Sequence, residues 1–246
     1  MATLAAAPRR WRNDRLFYTG MGVLVALIVF AGFSRSYYLN GWFETPAGTP
    51  PVGPLLHIHG AVFTAWIVLN VVQPALIAGR NTALHRQLGY AGAGLALLMV
   101  AFGNVAAVAA MHGGFIGLGD PRAFYAIPFF AINSFAVIVF LAIRWRNRAE
   151  THKRLILLSA TQLIEAAVAR LPVAAIGAGA PFSFMIGADL IIVAGIAYDL
   201  VSRGRVHKVW LWGGGLVVLS QALRLAVANT APWLAFAETM AGLWTP

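Results

Sequence analysis

The chain has 246 residues, of which 60% are apolar and only 11% are Asp, Glu, Lys or Arg, against roughly 25% charged in an ordinary soluble domain. That balance excludes a disordered chain, a coiled coil and a water-soluble globule, and it points to a polytopic membrane protein of one domain, 1–246. With no cysteine, disulfides, zinc–thiolate sites, thiolate-held clusters and cysteine nucleophiles are excluded; the net charge of +10 lies in short loops between apolar runs and calls for no nucleic acid.

Apolar runs predict an all-α bundle of seven helices at about 17–34, 54–78, 88–110, 123–143, 154–175, 183–202 and 208–229. Each is close to the ~20 residues that a spanning helix needs, and backbone polar groups in lipid must be paired within the segment. The first run, Leu16–Phe33 behind a basic start, reads as a signal anchor; a cleaved signal peptide is the competing reading and leaves the other six orientations unchanged. The loops at Ser34–Gly53 and Met111–Arg122 are rich in turn residues.

Fourteen of the eighteen Lys and Arg fall on one side: Arg9, Arg10, Arg12 and Arg15; Arg80 and Arg86; Arg144, Arg146, Arg148, Lys153 and Arg154; Arg203, Arg205 and Lys208. Arg35 and Arg122 fall on the other, and Arg170 and Arg224 lie within helices. The positive-inside rule then puts the N-terminus in the cytoplasm and the C-terminus outside. Trp11, Trp145, Trp210 and Trp212 fall near the inner interface, and Trp42, Trp233 and Trp244 near the outer one, as aromatic belts do.

Charged groups inside hydrocarbon cost ~2.5–3.5 kcal/mol each on the insertion scale, so their positions are informative. His59 on the second helix, Glu165 and Arg170 on the fifth, Asp189 on the sixth, and Gln221 and Arg224 on the seventh share the outer half of the bundle. Two acids and two arginines at one level balance in charge, which suits either a structural ion-pair network or a ligand- or proton-binding site. His59, Trp66, Asn70 and Gln73 form one stripe of the second helix, where Asn and Gln ordinarily bond helix to helix.

His85, His152 and His207 each open an outward-running helix at the cytoplasmic level, beside Arg or Lys, in a weak repeat. They read as interfacial anchors, as lipid-headgroup contacts, or as ligands for a divalent metal or a haem, although no His pair has metal-ligand spacing. His112, in the second outer loop, reads as solvated; Asp199 beside Tyr198, Arg203 and Arg205 reads as a salt bridge that orders the loop after the sixth helix. The chain has no phosphate-binding P-loop and no nucleophile elbow, and its last helix lacks the internal Lys of a retinal Schiff base. These features leave an enzymatic role undecided.

The stretch Leu56-His57-Ile58-His59-Gly60, Gln73, Arg80 and Leu84-His85-Arg86-Gln87-Leu88-Gly89-Tyr90 resembles a pattern in bacterial seven-span membrane-protein families of unknown function. Thr151-His152-Lys153-Arg154-Leu155, Ala169-Arg170-Leu171-Pro172 and Tyr198-Asp199-Leu200 extend the likeness. The resemblance implies a multi-pass protein of the bacterial inner membrane and no particular activity. A fainter resemblance to b-type membrane cytochromes rests on His near helix ends and implies haem; the deep His pairs of that group are missing here. Three functional expectations therefore stand: an outward-half polar site for a small polar or amphipathic ligand or for protons, a haem- or metal-binding redox protein using His85, His152 and His207, and an accessory subunit bound to other membrane subunits.

Overall fold

The computed structural model describes residues 9–44, 52–112, 119–171 and 182–244. They form α1 (Arg9–Phe33), a π-helical turn (Ser34–Tyr38), α2 (Pro54–Ala78), α3 (Thr82–His112), α4 (Pro121–Phe124), α5 (Ala126–Arg144), α6 (Ala149–Val168), α7 (Phe182–Arg203), α8 (Lys208–Val227) and α9 (Ala231–Gly242). Among the described residues there is no strand beyond one isolated bridge, Asn40 to Phe43. The turn-rich segments 45–51 and 113–118, the expected end of the fifth helix at 172–175, and the Trp11 side chain lie outside the described residues.

Short connections make successive long helices antiparallel. The basic segments thus gather at one end, where Arg15 Nη1 on α1 donates to Ala78 O at the close of α2 (3.1 Å). Local chemistry fixes several boundaries. Asn81 accepts from Leu84 N–H through its side chain (3.1 Å), so α3 starts at Thr82 and not near residue 88. Asp120 caps α4 by accepting from Arg122 N–H. Gly204, at φ +67°, takes the left-handed conformation that stops α7. α6 begins five residues before the expected 154, and α9 was not expected at all.

Among the described residues, six segments are long and apolar enough to cross a membrane: Asn13–Tyr38, Pro54–Ala78, Thr82–His112, Pro121–Arg144, Met185–Arg203 and Lys208–Val227. This fits a multi-pass membrane protein. α6 is not among them, and its surroundings explain why. α6 packs against α1, α5, α7 and α8, and twelve of its residues are buried, among them Arg154, Ser159, Thr161, Gln162 and Glu165. Large apolar side chains are exposed on the other long helices, for example Leu27, Val68, Leu97, Phe140, Val193 and Leu219, and none of them lies on α6. A helix enclosed by protein needs polar partners from its neighbours, whereas helices facing acyl chains need apolar surface.

Two close approaches set this packing. A methyl on Gly32 would overlap the Ala167 carbonyl, so only glycine lets α1 lie against the end of α6. Gly195 of α7 likewise makes room for the Trp210 indole, which is 2% exposed. Trp210 is thus a core residue and not part of an interfacial belt. Trp233 is buried too: it donates to Arg122 O (2.9 Å) and stacks among Tyr125, Phe129 and Phe130, anchoring α9 over α4 and α5.

Candidate functional site

Four of the six predicted residues, Glu165, Asp189, Gln221 and Arg224, meet. Arg224 Nη2 donates to Glu165 Oε1 at 2.6 Å, and Gln221 Nε2 donates both to Glu165 Oε1 (3.2 Å) and to Asp189 Oδ1 (3.0 Å). Arg224 Nη1 reaches Ile127 O at 3.3 Å. Arg224, Glu165 and Gln221 are buried and Asp189 is half-buried. α6, α7 and α8 each supply one side: Gln221 and Arg224 are three residues apart on α8 and so share a face. Two polar atoms in this group are buried without a partner, Glu165 Oε2 and Arg224 Nε.

Arg170 is not in the group, which corrects the expected balance of two acids and two bases. α6 ends at Val168, so Arg170 lies beyond the helix, exposed, with Nη1 on Ala166 O (2.7 Å) and its guanidinium over the Phe33 ring at 4.5 Å. Past the last helical turn its long side chain turns outward and leaves the core. Two carboxyl groups therefore face a single guanidinium. His59 is also elsewhere. It stacks on Phe63 at 4.0 Å with Nδ1 buried and unpartnered, on a helix that packs chiefly against α1 and α3. The third helix does contribute a polar link, Asn133 Nδ2 to Asn104 Oδ1 (3.2 Å), but it joins α3 to α5 and does not extend the Glu165 group. Asn70 bonds its own helix at Trp66 O (3.0 Å).

The three histidines of the basic end, His85, His152 and His207, are not gathered into a ligand set among the described residues. His152 Nδ1 is engaged with Ala142 O (2.9 Å), and His207 caps α8 by accepting from Val209 N–H at Nδ1 (3.3 Å). His85 keeps Nδ1 buried without a partner. No cluster of three or more His, Cys, Asp or Glu suited to a metal ion occurs among the described residues. His112 reaches Ala241 O of α9 at 3.1 Å.

A second charged network, largely missed from sequence, occupies the basic end. Arg154, which reads in sequence as a loop cation, is fully buried and forms a two-point pair with Asp199, through Nε at 2.9 Å and Nη2. Arg203 bonds Asp199 and Asp14 (both 2.9 Å) and Glu150 (3.1 Å); Lys153 bonds Asp14 (2.7 Å) and Glu150 (2.8 Å). Tyr198 donates its hydroxyl to Asp14 at 2.6 Å and stacks on Phe17. Three acids meet three bases, so this network is neutral where the Glu165 group is not. The signal for it was present: three of the eight acids, Asp14, Glu150 and Asp199, fall among the cations of that end. The expected Asp199 to Arg203 bridge is one strand of it; Arg205 is not.

Comparison with protein-family models, curated proteins and solved structures gave no match.

Proposed function

We propose that the chain crosses the bacterial inner membrane seven times, with its N-terminus cytoplasmic, and that the Glu165–Asp189 pair takes up and releases a proton within the membrane. α6 supplies the seventh crossing. Lys153 meets Asp14 near the start of α1, and Ala167 meets Gly32 near its end, so α6 accompanies α1 over roughly 20 Å at ~1.5 Å per residue. The distribution of Lys and Arg supports the orientation.

One observation carries the proton reading: a buried carboxyl oxygen, Glu165 Oε2, without a partner in a group that has one more acid than base. An uncompensated charge in such a site costs several kcal/mol. A proton held on one of the two acids removes that cost, and Gln221 Nε2 between them donates to either carboxyl. The test is proton flux into vesicles containing the purified protein and a trapped pH dye, driven by an imposed membrane potential. Glu165→Gln and Asp189→Asn should each abolish the flux while leaving the fold intact. A protonated-carboxyl infrared band should also vanish in one of the two. Unchanged flux in both variants, with no such band in the wild type, would refute the proposal.

A further inference from the structure

At the basic end a cavity of about 200 Å³ is lined by Glu150, Arg203, Arg205 and His207. Arg203 in its lining stands some 20 Å along α7 from Asp189, at ~1.5 Å per residue, so the cavity does not belong to the Glu165 group. The Arg203 side chain is 8% exposed, and its Nη atoms are committed to Asp14, Asp199 and Glu150. Its Nε is buried and unpartnered. Arg205 is exposed and makes no bond among the described residues. The His207 ring accepts at Nδ1 from the backbone of α8, so in its neutral form the proton sits on Nε2 and that atom is a donor. Burial and the nearby Arg154 hold this ring below the ordinary histidine value, which favours that neutral form. The lining thus offers three donor groups without a protein partner, Arg203 Nε–H, the Arg205 guanidinium and His207 Nε2–H, and the start of α8 stands beside them with its positive dipole end. Glu150, the one acid in the lining, already accepts from Lys153, Arg154 and Arg203.

The geometry points to a phosphate-binding site formed by Arg203, Arg205 and His207, whose ligand is a phosphate ester, carried either by an anionic lipid headgroup or by a small soluble molecule. The tetrahedral oxygens of a phosphate, ester-linked or free, match the forked Arg205 guanidinium beside the Arg203 and His207 N–H groups at a helix start. The volume admits one phosphate with a short substituent.

The two sources are separated with purified full-length protein in neutral detergent. Native mass spectrometry measures retention of phosphatidylglycerol against phosphatidylcholine, and calorimetry measures inorganic phosphate binding to delipidated protein. Arg205→Gln, at an exposed and unbonded position, should weaken whichever binding occurs about fivefold. Arg144→Gln, at the same end but outside the lining, should leave it unchanged. Preferential, Arg205-dependent retention of phosphatidylglycerol assigns the site to a headgroup. Arg205-dependent phosphate binding without lipid preference assigns it to a soluble ester. The proposal is overturned if neither probe binds, or if Arg144→Gln weakens binding as much as Arg205→Gln does.

Discussion

Replacing Asp199 by Asn keeps the shape of the side chain and removes its charge. Arg154 beside it is fully buried, and Arg203 is nearly so. Breaking a buried pair by deleting one partner ordinarily costs 3–5 kcal/mol, because the other charge is left without compensation. Glu150 still bonds both arginines after the change, so the expected loss lies at the lower end, about 3 kcal/mol. The same charge removed at Asp120, whose partner Arg122 is 43% exposed, should cost at most about 1 kcal/mol. Replacing Arg154 and Asp199 together by Met and Leu should recover most of the loss, since an apolar pair of similar volume has no charge to leave stranded. Reversible unfolding in mixed micelles gives all three differences from the wild type. If Asp199→Asn costs less than 1 kcal/mol, or if the double variant is no better than the single, the network does not hold the basic end together and the reasoning fails.

Other outcomes follow from the same contacts. Gly32→Ala should destabilise by about 1–3 kcal/mol because its methyl meets the Ala167 backbone, whereas Gly20→Ala, with open space around it, should be neutral or stabilising; melting temperatures of the two decide it. Arg122 holds the Asp120 carboxyl below the usual carboxylate range. Its contribution is therefore full above that range and is lost as pH falls through the lowered value. The protection of the α9 amides relative to their intrinsic exchange rates, tied to Arg122 through Glu238 and Trp233, should fall on acidification, and less steeply in Asp120→Asn; identical profiles would contradict the tie. Trp233→Ala should free α9 to exchange rapidly while the Glu165 group and its vesicle activity persist.

What the sequence made legible follows from lipid physics. Helices whose outward faces must be apolar announce themselves, and 54–78 is found where the run predicts it. Glu165, Gln221 and Arg224 could be paired in advance because polar groups in hydrocarbon must find one another. Arg170 was misplaced because its position depends on where α6 ends, and no capping residue after Val168 marks that point. Arg154 was misread because a cation at a helix start looks like a solvated interface residue; only its three-dimensional neighbour Asp199, 45 positions away, reveals burial. α9 escaped notice because its twelve residues are too few to span, and its docking depends on the aromatic residues of α4 and α5. The His85, His152 and His207 repeat was visible, but the His152 and His207 rings are each directed by a backbone contact of their own.

The enclosure of α6 bears on how the chain is assembled. A segment with Lys153, Arg154 and Glu165 would partition poorly into lipid by itself, at ~2.5–3.5 kcal/mol for each charge near the helix centre. Its counter-charges are synthesised later: Asp199 follows Arg154 by 45 residues and Arg224 follows Glu165 by 59. On the proposed seven-span reading, α6 would therefore have to wait at the translocon or its chaperones until α7 and α8 emerged. Nascent chains halted just after residue 171 should fail to integrate this helix, and chains extended past Val227 should integrate it.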